Sequence, residues 1–267
     1  MKRVFLIYLI FIISHLYAQT STNEVIRSVR LDTSSYGDIF NDKIQPAWVY
    51  IGEAKRSIYN GDISYALYIM NKTVMYYPNN ADAHYFLGLI YEKEANDTAK
   101  QGDIASYRLA IEEYKKSIAL SSNFTIPSYK LDAYFNLLYI YEKLIEEENY
   151  AQTEKEIIDI AEKSYNRLEK GRIYFKLAEH YSGRNRGTAA IDYYGQAYIN
   201  GYRQKLSLFR MSLIYRKMRN YVKEKETLLL ANRYNFENIE PSNFEVQKAI
   251  IQRLEDLKNV RIPKKLN

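Results

Sequence analysis

Ala81-Asp82-Ala83-His84-Tyr85-Phe86-Leu87-Gly88-Leu89-Ile90-Tyr91 is the stretch that decides how this chain folds. Leu87, Gly88 and Tyr91 fall one helical turn apart, so they share one face of a helix. Gly88 on that face is small enough to let a second helix cross closely. The preceding Tyr77-Pro78-Asn79-Asn80 marks the start. Pro78 cannot continue a helix, so whatever comes before it ends there and a new helix begins.

Reading outward, the same pattern recurs. Before it, 47–80 reads as two antiparallel helices joined at Asn60-Gly61-Asp62, with the small residues Ala54 and Ala66 where they cross. After it, Ala110-Ile111-Glu112-Glu113-Tyr114-Lys115-Lys116-Ser117-Ile118 is the returning helix. It is delayed by extra residues around Glu94 to Asp103, which read as an enlarged surface turn. A third first helix runs from Leu131 to Tyr141, with Leu138 in the small-residue position and a returning helix over about 150–167. Tyr174, Leu177, Ala178 and Tyr181, then Ala190, Tyr194 and Ala197, make a fourth pair. Leu208, Met211, Ser212 and Tyr215, then Leu228 and Ala231, make a fifth, in which Glu224 stands where a small residue is usual. An amphipathic stretch to Leu257 closes the series, with Ser242 or Asn243 as its cap and Glu245 in its first turn.

Tandem helix pairs at this spacing resemble the tetratricopeptide-repeat family, whose unit is two antiparallel helices of about 34 residues. The resemblance covers 47–257. It implies an all-α fold, a right-handed superhelical solenoid of antiparallel helix pairs over 46–258, with about five repeats and a capping helix whose polar outer face closes the open end. The alternative is an irregular helical bundle.

Composition agrees with long helices. The chain has 267 residues with only 10 Gly and 5 Pro, so breakers are scarce, and its 28 Tyr suit a thin architecture in which rings pack while hydroxyls reach water. There is no Cys, which excludes disulfides, Cys-ligated zinc and a thiol nucleophile. The formal charge is +6, a mild excess that does not mark a nucleic-acid binder.

Lys2 and Arg3 precede the apolar run Val4 to Ile13, and a small residue, Ala18, precedes Gln19. This order predicts a secretory signal over 1–18, cleaved after Ala18, and so an exported, periplasmic or otherwise extracytoplasmic protein. An uncleaved signal anchor is the alternative, although the run is short for a membrane span. Residues 19–45 read as a polar, flexible leader and 259–267 as a basic tail.

No constellation points to catalysis, a metal or a cofactor. Of the 3 His, His15 falls in the signal, and His84 and His180 read as packing or groove residues without a partner at metal-ligand spacing. A water-excluded cluster around either would revive an enzyme reading. Gly183-Arg184-Asn185-Arg186-Gly187 lacks the Lys-Ser/Thr of a phosphate loop and reads as a turn, although Arg184 and Arg186 could meet an anion. Glu146-Glu147-Glu148 reads as a solvated run.

In tetratricopeptide-repeat proteins the first helices line a concave, partner-binding surface. The resemblance therefore implies a groove built by Trp48, Tyr85, Phe135, Asn136, Tyr139, Arg172, Phe175, Lys176, Phe209 and Arg210, with Ile51, Lys55, Leu89 and Asp132 beside them. The opposing reading is that the aromatics pack against neighbouring helices. The implied function is a non-catalytic scaffold of the cell envelope that binds a protein or peptide and no nucleic acid, with contact to a membrane or envelope polymer left open. A structural subunit of an envelope assembly and a glycan- or small-ligand-binding protein are the alternatives.

Overall fold

A computed structural model of the chain describes residues 44–97, 103–235 and 241–258. The expected signal, nearly all of the leader and the basic tail lie outside the described residues. Eleven α-helices occur among the described residues, with no strand: α1 (Ala47–Tyr59), α2 (Ile63–Tyr76), α3 (Ala81–Asp97), α4 (Ile104–Ala119), α5 (Ser128–Lys143), α6 (Glu147–Lys163), α7 (Arg167–Gly183), α8 (Gly187–Ile199), α9 (Gln204–Lys217), α10 (Tyr221–Ala231) and α11 (Pro241–Asp256). No helix among them is long and apolar enough to cross a membrane.

The chain divides into two compact units, one ending at Glu146 and the other beginning at Glu147. In the first, α1 packs on α2 and α3 on α4, and the first helices α1, α3 and α5 lie side by side. In the second, α7 packs on α8 and α9 on α10, with α6 against α7 and α11 against α10. These are helix pairs of the tetratricopeptide-repeat kind, repeated in tandem within each unit. The division falls at the turn of the third expected pair, where Leu138 takes the place held by Ala54, Gly88, Ala178 and Ser212 in the others.

Small residues do what the spacing requires. Ala54 and Ala66 are fully buried, and a Cβ added to Gly88 would stand 2.8 Å from the Tyr114 ring. The four described turns from first to second helix share one construction. Gly61, Ile145, Asn185 and Arg219 all adopt positive φ, at 84°, 58°, 58° and 57°. The next residue's N–H then donates back to a carbonyl in the last helical turn: Asp62 to Ser57, Glu146 to Tyr141, Arg186 to Tyr181 and Asn220 to Tyr215, at 2.9, 2.8, 3.1 and 2.8 Å. This left-handed stop satisfies carbonyls that a helix end would otherwise orphan.

Three local expectations are corrected. Glu94 to Asp97 is helical, because α3 continues through it: Tyr107 Oη donates to Asn96 Oδ1 at 2.8 Å and Ser106 Oγ to Glu94 Oε2 at 3.3 Å. Residues 98–102 lie outside the described residues. The last helix starts at Pro241, whose missing N–H is no loss at a first helical position, so Ser242 and Asn243 fall inside the first turn instead of capping it. Finally, Glu224 does not loosen the fifth pair. It is buried and forked by Arg253, with Nε to Oε1 at 2.7 Å and Nη2 to Oε2 at 3.2 Å, which ties α10 to α11.

Candidate functional site

On α3, Tyr85, Leu89, Glu92 and Asn96 follow at steps of four, three and four, so they form one stripe along the first-helix face. Asp132, Asn136 and Tyr139 form the matching stripe on α5. Between α1 and α3 lies a groove of about 480 Å³ lined by Lys55, Ile58, Phe86, Leu89, Glu92, Lys93 and Asn96. Each wall mixes apolar and polar groups: α1 gives Lys55 and Ile58, and α3 gives Phe86, Leu89, Glu92, Lys93 and Asn96.

The polar groups of this groove are held in place from behind. Tyr114 reaches through from α4, past the gap left by Gly88, and donates to Glu92 Oε2 at 2.7 Å. Asn136 Nδ2 donates to that same hydroxyl at 2.9 Å. Asn96 Oδ1 accepts from Tyr107 Oη at 2.8 Å and Tyr139 Oη at 3.0 Å. Lys55 Nζ stands 4.2 Å from the centroid of the Phe86 ring and 3.5 Å from Tyr129 Oη, a cation held on an aromatic wall. Burial pushes the Glu92 carboxyl up to about 7, against the hydrogen bond from Tyr114, which lowers it. A carboxyl so perturbed inside a groove marks a candidate site.

Of the residues expected here, Asn136 joins Tyr114 and Glu92 in one hydrogen-bonded cluster, and Tyr139 joins Tyr107 and Asn96 in a second. Tyr85 is buried, stacked on Tyr129 at 4.9 Å and edge-on to Phe86 at 5.1 Å, so its ring supports the groove floor and offers no open face. Phe135 is half-buried. Trp48 is 72% exposed, two turns before Lys55 on α1.

The expected residues of the second unit are engaged differently. Arg172 is paired with Glu169 on its own helix, at 2.5 and 2.8 Å. Phe175 is buried edge-on to Tyr194 and Tyr202, with the Arg203 guanidinium 5.6 Å from its ring centroid. Phe209 packs on the core of Leu208, Leu228, Ala231, Ile250 and Leu257. Lys176 is half-buried, and Arg210 pairs with Glu179 at 3.3 Å. None of these lines a cavity that lies in this unit. That cavity, about 580 Å³, lies at the α7–α8 turn between Ser182, Asn185, Arg186, Gly187, Ile214 and Lys217 among others. Arg184 there turns back to donate to the His180 carbonyl at 3.0 Å, and Arg186 lies over Tyr150 and Tyr181.

Both histidines are built into the packing. His84 Nε2 contacts the Pro78 carbonyl at 2.8 Å and Nδ1 contacts Glu113 Oε2 at 2.6 Å. A carbonyl and a carboxylate only accept, so both ring nitrogens carry hydrogen and His84 is an imidazolium. Burial alone would lower its pKa; the bonds to Glu113 and Pro78 outweigh it and raise it. His180 is the opposite case. Burial lowers it to about 4, so it is neutral at pH 7, with Tyr150 Oη 3.1 Å from Nε2. Among the described residues no group of three or more His, Asp or Glu could hold a metal ion.

The residues that sequence reading missed are Glu92, Asn96, Tyr107 and Tyr114. The α3 stripe carries the signal for the first two, although Asn96 beside Asp97 reads in the sequence as part of a turn. Tyr114 could not be found, since its reach depends on a gap in another helix.

No family model matches the chain, and no curated protein does. Solved structures do. A structure described as a functional characterisation of Pseudomonas aeruginosa PilF aligns at 17% identity over 79% of this chain and 86% of that one, with a TM-score of 0.47. MamA from Desulfovibrio magneticus RS-1 aligns at 13% identity over 80% and 97%, with a TM-score of 0.44. A further MamA structure aligns at 16% identity over 81% and 98%, with a TM-score of 0.41. All three scores lie below 0.5, so the repeat assignment rests on the helix pairs themselves.

Proposed function

We propose that this chain is a non-catalytic, extracytoplasmic scaffold that binds a segment of a partner protein along the α1–α3–α5 face of its first unit. The observation that supports this most directly is the groove beside Glu92. Its polar atoms are fixed by Tyr114, Asn136, Tyr107 and Tyr139, so a bound segment meets groups that need no further ordering. Ile58, Phe86 and Leu89 supply apolar anchor surface, Lys55 supplies charge, and Glu92 and Asn96 supply hydrogen bonds for orientation. Export is inferred from the basic and apolar start of the sequence.

The test is capture from an envelope fraction with the full chain as bait, beside a Lys55→Glu/Leu89→Glu variant and a Lys223→Glu control in the second unit. All three must show the same helicity. A partner held by wild type and control but lost by the groove variant supports the proposal. A partner held equally by all three removes the groove from the function.

A further inference from the structure

At one end of the α7–α8 pair, three large apolar side chains project into solvent. Tyr165, in the turn before α7, is fully exposed; Leu168, in the first turn of α7, is 56% exposed; Ile199, the last residue of α8, is 60% exposed. They belong to one edge. Arg167 Nη2 donates to the Ile199 carbonyl at 2.8 Å, and a Cβ on Gly201 would stand 3.8 Å from Leu168 Cδ2. Isolated apolar residues on a surface need no explanation, but neighbouring ones on adjoining turns make a patch.

The charge around this patch has one sign to spare. Lys163, Arg167 and Arg203 are exposed and have no carboxylate partner among the described residues. Two acids of the same edge are already paired: Glu162 with Lys170 at 2.6 Å, where it also accepts from the Tyr174 hydroxyl, and Glu169 with Arg172. The Arg203 guanidinium lies over the Tyr202 and Phe175 rings, so its position is fixed.

We propose that this edge is a docking surface for an anionic lipid bilayer. Tyr165, Leu168 and Ile199 enter the headgroup layer while Lys163, Arg167 and Arg203 face the lipid phosphates. The side chains project from turns as tips, which suits insertion between headgroups. Tyr is at home at such an interface because its ring is apolar and its hydroxyl is wet. Unpaired cations ringing the tips add attraction that is specific for negative lipid. This surface is independent of the groove in the first unit.

The experiment is co-sedimentation of the full chain with vesicles of phosphatidylcholine alone and of phosphatidylcholine with phosphatidylglycerol. Two variants are compared: Tyr165→Ser/Leu168→Ser/Ile199→Ser and Lys163→Gln/Arg167→Gln. All of these positions are exposed, and helicity confirms folding. Wild type should bind the phosphatidylglycerol vesicles more tightly than the neutral ones, and less so in high salt. At about fivefold per cation, the charge variant should bind them about twenty-fivefold more weakly and lose most of the preference, Arg203 being left in place. The apolar variant should fall by about tenfold or more on both kinds of vesicle. Equal binding by wild type and both variants overturns the proposal. So does loss of a captured protein by the variants while vesicle binding is unchanged, which would make the edge a protein interface.

Discussion

Glu92 is stored in the fold in an unfavourable form. Its folded pKa of about 7 lies above the usual 4.5, so the folded chain holds a proton that the unfolded chain has released across that interval. Stability therefore falls as pH rises from about 4.5 to 7, by about 3 kcal/mol in all. Glu92→Gln keeps an acceptor for Tyr114 and should raise stability at pH 8, with no gain at pH 4; urea unfolding at the two pH values measures it. His84 acts in a later window. Its raised pKa contributes stability that is complete below 6.5 and is lost as pH rises through the folded value. The Glu92→Gln variant should therefore keep a decline above pH 6.5 that His84→Gln removes. Residue identity was only partly legible at this scale. Asn136 and Tyr139 could be placed from the repeat spacing, whereas Tyr85 and Phe175 could not be told from groove residues, because a first-helix aromatic packs inward or outward according to its neighbours. Phe175→Ala would thus probe the core and not the groove, costing about 3–5 kcal/mol.

The elements were the most legible level, since small crossing residues and Pro78 mark them directly. What the sequence hid was how helices end. Gly61 and Asn185 advertise a left-handed stop, but Ile145 and Arg219 occupy the same position without the residue type that suits it. Ile145 is β-branched and exposed, so its strain is not offset by burial. Ile145→Gly should stabilise the chain by about 0.5–1 kcal/mol, read as a higher unfolding midpoint in urea. Glu224 misled for a different reason. A charge in a small-residue position looks like a defect until Arg253, 29 residues away, is seen to fork it. Arg253→Ala leaves the buried carboxylate alone and should cost about 3 kcal/mol or more, while Glu224→Met with Arg253→Met should cost far less.

At the scale of the whole molecule the repeat count could be read, but not the division at Glu146, since it is a property of packing and not of any residue type. Two compact units predict regional responses. Arg253→Ala should lower hydrogen-exchange protection in 147–258 and leave 44–97 unchanged; equal loss throughout would mean one cooperative body. The abundance of Tyr also resolves here. Tyr114, Tyr174, Tyr181, Tyr193 and Tyr194 each donate to a glutamate of an earlier helix, so many hydroxyls hold carboxylates instead of reaching water. Against those 28 Tyr stands a single Trp, and it is Trp48, on α1 and open to solvent. The chain thereby carries its own optical reporter. Excited tyrosines hand their energy to one indole, whose emission shifts to the blue when something settles over α1 and stays unchanged when a ligand sits elsewhere.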